Sequence, residues 1–480
     1  MVTQRTRLLI LYLFILIGIV LLFSMAWMTS QVHNQLAIGV ILGLGIGMLS
    51  FVRQDIAAVA ILLSMVLSPE LKLASLPTRE VVVRFDDLIL ISFFISWLFK
   101  MAYLKNFGLL KVTALNMPIW TYILVAIIST WLGVGAGNLQ FLSAMFYILK
   151  YIEYFMIFFM FSNIIQTEAQ LKTFLTAFMA GAGAVGLYGY YQIAIGVSRI
   201  SAPFEGYGEP NTYGGYLLLV LGLAVLSFFK SPDKNGKLAY AAVVAGAVPL
   251  LVMTFSRASY FGFVIMIPAF YYFANRNQRV LIVVVALVGL AASPFILPEK
   301  AKDRIMAPFS GQKEEVAPML RLNRMDSSYQ KVQTAKYIVE LWSKEPIFGR
   351  GVTGVGLVDA QYPRILGEMG IMGVLAFMWI GFSIFQVYRT TSRYLRAYTD
   401  EQEWRWKAVT QGYICAIAGL LIHGLAANTF VLIRIMEPFW FLTAVVASIP
   451  HILENKYHPA GKAGAELPKY PIYHTGHESY

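Results

Sequence analysis

The sequence predicts an all-α polytopic membrane protein, on three observations. Of its 480 residues 58% are hydrophobic and only 13% are charged, against roughly 25% charged in a soluble globular chain. The apolar residues gather into runs long enough to cross a bilayer, which takes about 20 residues of helix. The polar residues concentrate in one stretch, 298–365. Unstructured connections beyond about 12–15 residues are uncommon unless they have a function.

Taken in order, Arg5 and Arg7 precede an apolar run over 8–27. It is too long for the apolar part of a secretory signal and lacks a small-x-small cleavage site, so it reads as a retained first helix. Further runs follow at 36–52, 56–69, 87–104, 117–134, 141–163, 171–196, 212–229, 238–254, 259–274 and 279–297. Residues 1–297 therefore form about eleven transmembrane helices, with 56–69 and 259–274 short enough to be tilted or re-entrant. In the long loop, Ser327–Ser343 sets Val332, Ala335, Val339 and Trp342 at helical spacing, with Lys331 and Lys336 off that stripe. This predicts an amphipathic helix on the membrane surface or packed on the bundle. Pro346, Gly349, Gly351, Gly354 and Gly356 then break it. Runs at 366–388, 408–428 and 431–449 add about three helices, for about 12–14 in all. The tail is 450–480, and from Glu454 it contains Gly, Pro and His and reads as disordered. Its His458, His474 and His477 read as solvated residues rather than a metal site.

Charge sets the orientation. With the N-terminus in the cytoplasm, roughly 20 Lys and Arg fall in cytoplasmic segments and roughly 6 in short outer loops. Loops above about 60 residues weigh little in this rule, so 298–365 is left out of the count. Both termini are then cytoplasmic, and the long loop lies on the periplasmic or extracellular face. The formal charge of +12 follows from the same bias, without a nucleic-acid partner. The single cysteine, Cys415, excludes an internal disulfide framework and a cysteine-rich metal site. There is no Walker loop, dinucleotide fingerprint, HExxH or nucleophile elbow. Neither metal nor cofactor is called for, and ATP-driven transport by this chain alone is not supported.

Arg257 is the sharpest single residue, set in Thr254-Phe-Ser-Arg-Ala-Ser-Tyr-Phe-Gly262 with almost no linker between two apolar runs. An arginine near membrane depth costs about 2.5 kcal/mol or more unless it snorkels or is paired. One reading is a snorkelling interfacial residue. The other is an anion site, since the guanidinium fork matches phosphate oxygens and keeps its proton, with Ser256 and Ser259 adding hydroxyls. Arg199 opens a second short outer loop, rich in Gly and Pro, that ends at Asn211, a candidate N-cap. The two arginines could clamp a diphosphate; alternatively the loop is a plain connection. Lys150 and Glu153 share a helix face and read as a neutralising intramembrane pair, with a proton path as the alternative. His423 reads as a buried histidine bonded to a carbonyl. Asp359 and Glu368 flank the return into the membrane and either accept a proton from a hydroxyl or are solvated loop acids.

The TFSRASYFG stretch, the Pro-Asn-Thr-Tyr-Gly turn, KEPIFGRGVTGVG and ILGEMGIMGVLAF occur in an order, and on a side of the membrane, that resemble the O-antigen ligase/polymerase superfamily over about 200–390. The resemblance implies a GT-C-type glycosyltransferase of the bacterial inner membrane, independent of metal or cofactor. Such enzymes take a glycan from undecaprenyl diphosphate on the outer face and join it to an acceptor hydroxyl. The acceptor is another lipid-linked glycan for a polymerase and lipid A-core for a ligase. The family's essential arginines match Arg199 and Arg257, and its loop arginine matches Arg324. Ligases carry a His-Asn-type pair eleven residues before the glycine matched by Gly370, where this chain has Asp359-Ala360. The expectation is therefore an O-antigen or exopolysaccharide polymerase, with the ligase as alternative. A polysaccharide or lipid transporter or flippase is the rival of another class.

Overall fold

A computed structural model describes residues 34–76, 79–103, 111–203, 209–306, 327–356, 358–397 and 403–457. The first predicted span (8–27), Arg324 and the tail from 458 lie outside the described residues. The architecture is that of an all-α polytopic membrane protein. Among the described residues, eight helices are long and apolar enough to cross a membrane, and Ile38–Val52 and Gln54–Leu67 are shorter apolar helices.

The chain divides into two compact units. The first takes in the described parts of Met1–Leu110, with Asn163–Gly181 and the start of Pro203–Tyr207. It begins with α1 (Asn34–Val52) and α2 (Gln54–Leu67). An antiparallel hairpin follows, β1 (Glu70–Leu76) and β2 (Arg79–Arg84), pairing Glu70 with Arg84 and Leu76 with Arg79. The apolar-run reading did not anticipate this hairpin, because its seven- and six-residue strands leave no helical-length signal. Next comes α3 (Phe85–Tyr103). Gly39, Gly43 and Gly47 recur every four residues on α1 and face Leu88 and Ser92 of α3; a Cβ on Gly43 would sit 3.0 Å from the Leu88 carbonyl. Lipid supplies no hydrophobic drive for helix pairing, so such small-residue faces let dispersion forces hold the pair. Arg84 is buried at the head of α3, with Asp86 on its guanidinium and Asp87 accepting from its backbone N–H.

The second unit takes in Lys111–Ser162, Ala182–Ala202 and the described parts of Gly208–Tyr480. In chain order the helices from 111 onward are α4 (Asn116–Gly135), α5 (Phe141–Ile164), α6 (Glu168–Ala194), α7 (Pro210–Lys230), α8 (Lys234–Met253), α9 (Arg257–Phe273), α10 (Arg276–Ile296), α11 (Glu299–Met306), α12 (Ser327–Lys344), α13 (Gln361–Ala397), α14 (Trp404–His423) and α15 (Ile433–Tyr457). Helix α9 has 17 residues, matching the short run expected at 259–274. Asp233 caps α8, accepting from Gly236 N at 2.7 Å, and this bond holds its carboxyl below the usual range. Lys150 and Glu153 pair at 2.8 Å, as their spacing foretold.

Helices α7 and α15 form the centre, with most of their residues buried, while α10 has no buried residue in its apolar window. A helix that is apolar all round and uncovered fits a lipid environment. Helix α14 crosses α7 and α9 at paired glycines. A Cβ on Gly222 would lie 2.6 Å from the Gly412 carbonyl, and one on Gly262 would lie 2.8 Å from the Gly419 carbonyl. The backbones are therefore in direct contact, which Ala or larger would force apart.

The amphipathic helix foreseen in the long loop is α12, but its packed face differs from the expected stripe. Ile338 and Leu341 are buried with Val355 and Val358, whereas Val339 is 50% exposed. The helix packs on α13, where Ile338 presses against the bare backbone of Gly367. The 3.6-residue period was legible; the phase depended on a partner elsewhere in the chain.

Candidate functional site

The polar chemistry gathers at one end of the second unit, where α7, α9, α13 and α15 begin and α8 and α14 finish. Two helix starts come together first. The connection from α8 to α9 is three residues long, and Phe255 turns it with a left-handed φ of 48°. Residues other than glycine, asparagine or aspartate rarely adopt that region. Arg199 holds the turn: its Nε donates to the Thr254 carbonyl at 2.9 Å and its Nη2 to the Phe255 carbonyl at 3.5 Å. A cation at a helix C-terminus also complements the helix dipole. Ser256 caps α9, accepting from Ser259 N, and Arg257 is the first residue of the helix, half-buried.

A hydroxyl chain ties α9 to α7. Ser259 Oγ donates to Ser256 Oγ at 2.9 Å, and Ser256 Oγ donates to Asn211 Oδ1 at 2.7 Å. Gly214 makes room for this, since a side chain there would strike Ser259. The N-cap position of α7 is Glu209, with Pro210 as the first helical residue, so Asn211 does not cap α7 as the sequence reading had it. Proline at that first position takes φ as the helix needs it and shifts the start by two residues. Asn211 instead receives the Ser256 hydroxyl. The structure brings together Arg199, Asn211, Ser256, Arg257 and Ser259, the residues singled out in this part of the sequence, with Arg199 on carbonyls and Asn211 on a hydroxyl.

The second cluster lies where the chain returns into the membrane. Helix α13 is broken at Gly370, with φ 60° and ψ −158°, a conformation essentially reserved for glycine. The break does not leave backbone groups bare. The amides of Arg350 and Gly351 donate to the carbonyls of Gly367 and Glu368, at 3.0 and 2.8 Å. The amides of Ile371 and Met372 donate to the carbonyls of Pro346 and Ile347, at 3.0 and 3.1 Å. Segment 346–351 therefore substitutes for the missing turn. The Ser129 hydroxyl of α4 lies 2.5 Å from the Phe348 carbonyl and 2.6 Å from that of Glu368. Arg350 bonds to Asn138, whose Nδ2 donates to Glu345 at 3.0 Å.

Glu368 is 1% exposed, so it is a helical core residue rather than a loop acid. Its Oε1 accepts from Arg364 Nε at 3.0 Å and from Thr353 N at 2.9 Å. Its place is to fix the broken helix against the 345–356 segment. Arg364, whose guanidinium lies 5.2 Å from the Tyr147 ring centroid, was not singled out in the sequence, though its i,i+4 spacing to Glu368 was the available signal. Asp359 is exposed.

A turn between α14 and α15 links the clusters. His423 is fully buried and its Nδ1 lies 2.6 Å from Thr429 Oγ1, a hydroxyl partner where a carbonyl was expected. Gly215 of α7 packs against His423 and Ile435. Gln361, the first residue of α13, donates its backbone N–H to the Gly424 carbonyl at 3.0 Å and accepts from Phe430 N at 2.9 Å. The site thus runs from Arg257 through α7 and the 424–430 turn to Arg364. Among the described residues, no group of His, Cys, Asp and Glu has the spacing to hold a metal ion. No known protein-family pattern matches the chain, and no curated protein matches it.

Proposed function

We propose that the protein is an inner-membrane glycosyltransferase that joins an undecaprenyl-diphosphate-linked glycan to an acceptor hydroxyl on the periplasmic face, acting as an O-antigen or exopolysaccharide polymerase. The observation that carries this reading is the linked start of α7 and α9. There a half-buried arginine heads a helix and a Ser259–Ser256–Asn211 chain fixes its surroundings. A helix N-terminus bearing an arginine favours an anion such as a diphosphate.

The diphosphate is already a good leaving group, so the chemistry needed is to hold it, to meet its growing charge and to place the attacking hydroxyl. Arg257 supplies the cation. Arg199 acts through it, holding the Thr254–Phe255 turn from which α9 starts, and Arg324 would add a loop cation. Asp359, exposed beside the broken helix, orients the acceptor hydroxyl and takes its proton as the bond forms. The glycosidic carbon exchanges its bond to the diphosphate oxygen for one to the acceptor oxygen, and the diphosphate departs with the electron pair. Glu368 positions Thr353 and Arg364 around this loop.

Arg257→Ala is expected to lower transfer at least a hundredfold with membrane insertion unchanged, measured with purified protein and undecaprenyl-diphosphate-linked glycan. Activity near wild type would remove Arg257 from the site. The same assay with and without lipid A-core separates polymerase from ligase. Scrambling 320–345 separates transferase from transporter, since a transporter would depend on Lys150 and Glu153 rather than on that loop.

A further inference from the structure

The end of the second unit opposite the functional site carries cations that the chemistry proposed above does not use. There α7 and α9 finish and α8, α10 and α14 begin. Lys230, the last residue of α7, is half-buried and donates its Nζ to the Phe273 carbonyl at the end of α9, at 3.1 Å. Gln278, in the first turn of α10, donates to the Phe229 carbonyl at 2.7 Å, so the start of α10 lies beside Lys230. The charge that acts most strongly on Lys230 is a second cation, Lys407 in the first turn of α14. Lys407 is half-buried too, and among the described residues it makes no hydrogen bond or ion pair. Glu403, four residues before it, instead accepts from Lys456 Nζ at 2.7 Å and from Tyr457 OH at 2.8 Å. Asp233 is the cap of α8. Two ammonium groups are thus held near each other, partly out of water, with Glu403 and Asp233 engaged elsewhere. Like charges so placed repel and lose hydration, and an anion between them relieves both costs.

The surroundings say where that anion comes from. Trp404 packs on Tyr240 of α8, with ring centroids 6.5 Å apart, and carries the Arg405 guanidinium 5.3 Å from its ring centroid. Arg279 of α10 lies 5.2 Å from the Tyr271 ring centroid and donates to the Tyr271 carbonyl at 3.2 Å. Tryptophan, tyrosine and arginine gathered at the ends of apolar helices mark the level of lipid headgroups. Helix α10, with no buried residue in its apolar window, starts from this point. A lipid held by its phosphate finds there an apolar surface for its acyl chains, which a free phosphate does not need.

We infer that Lys230 and Lys407 form a headgroup site for an anionic phospholipid of the leaflet opposite the functional site, with the phosphodiester between the two ammonium groups and the acyl chains along α10. Arg405 and Arg279, each stacked on a ring, add to the positive field. Two cations favour phosphatidylglycerol over a zwitterionic lipid, whose own amine they repel. This inference rests on no reading of what the protein transfers.

The test uses the full-length protein in neutral detergent, with phosphatidylglycerol, phosphatidylethanolamine and glycerol phosphate as probes in native mass spectrometry. Wild type should hold phosphatidylglycerol at least about fivefold more tightly than phosphatidylethanolamine. Lys407→Gln removes a group that makes no bond within the described fold. It should weaken phosphatidylglycerol about fivefold, the loss expected for one cation at a headgroup, and leave phosphatidylethanolamine within about twofold. Lys234→Gln with Lys237→Gln removes two exposed cations of α8 and should change phosphatidylglycerol binding less than about twofold, since salt screens exposed charges. The inference is overturned if the two phospholipids bind the wild type alike, or if Lys407→Gln stays within about twofold of wild type. It is overturned equally if the α8 pair costs as much as Lys407→Gln, which would make the attraction a diffuse one. Displacement of phosphatidylglycerol by an equal concentration of glycerol phosphate also overturns it, because the site would then belong to a free anion. Should Lys407→Gln fail to fold, Lys230→Gln takes its place, with the same expected loss and the same overturning result.

Discussion

Arg364 and Glu368 show how much a single buried pair commits. Both are nearly inaccessible, and their bond ties the first turns of α13 to Thr353. Taking two charges out of water is expensive, so such a pair stabilises little in net terms, but removing one partner strands the other. Arg364→Met should therefore cost about 3–5 kcal/mol, and the double change Arg364→Met with Glu368→Leu should recover most of it. Thermal unfolding of the detergent-purified variants measures both; a double variant no better than the single one would mean that the pair is not the source of the loss. Arg257 and Arg199 illustrate the reverse situation in the sequence. Their exposure to apolar flanks made them conspicuous, yet nothing in the residue order showed that Arg199 would spend its donors on Thr254 and Phe255. That outcome follows from the left-handed Phe255, whose turn aims two carbonyls at the incoming loop.

Among the elements, the broken α13 is the most constrained. Its four bridging hydrogen bonds need Gly370 in a glycine-only conformation and Gly349 against the Gly367 carbonyl, 2.6 Å from where a Cβ would stand. Gly370→Ala should lower stability by about 1–3 kcal/mol from backbone strain alone, with more from the clash at Ile347. Glycan transfer should fall with it; an unchanged melting temperature would show that the helix can close up without the break. The sequence announced the elements either side of this feature, through the period of 327–344 and the apolar run after 366. It did not announce the clasp, because hydrogen bonds between backbone groups 17 or 25 residues apart leave no mark on side-chain identity. For the same reason the phase of α12 was misplaced: Ile338 is buried by Gly367, not by its own periodicity.

For the molecule as a whole, hydrophobic runs made the helical architecture legible from composition and spacing. The β1–β2 hairpin escaped because it is short. The side of the membrane expected for the site rests on Lys and Arg counts alone, and it is testable independently of function. The single cysteine, Cys415, is buried, so introduced cysteines report cleanly. In right-side-out spheroplasts, Glu340→Cys should react with a membrane-impermeant maleimide, and Lys237→Cys should react only after permeabilisation. The opposite pattern would invert the topology and put the proposed chemistry on the cytoplasmic side.

The clasp also fixes a length. Gly351 is bonded to Glu368 and Arg350 to Gly367, so the chain between them is a closed circuit, and Asp359 stands at its midpoint. Adding or removing one residue within that circuit cannot be absorbed at its ends, which are pinned on both strands of the clasp. Divergent forms of this protein should therefore vary in residue type around Asp359 while keeping the count between the two glycines constant.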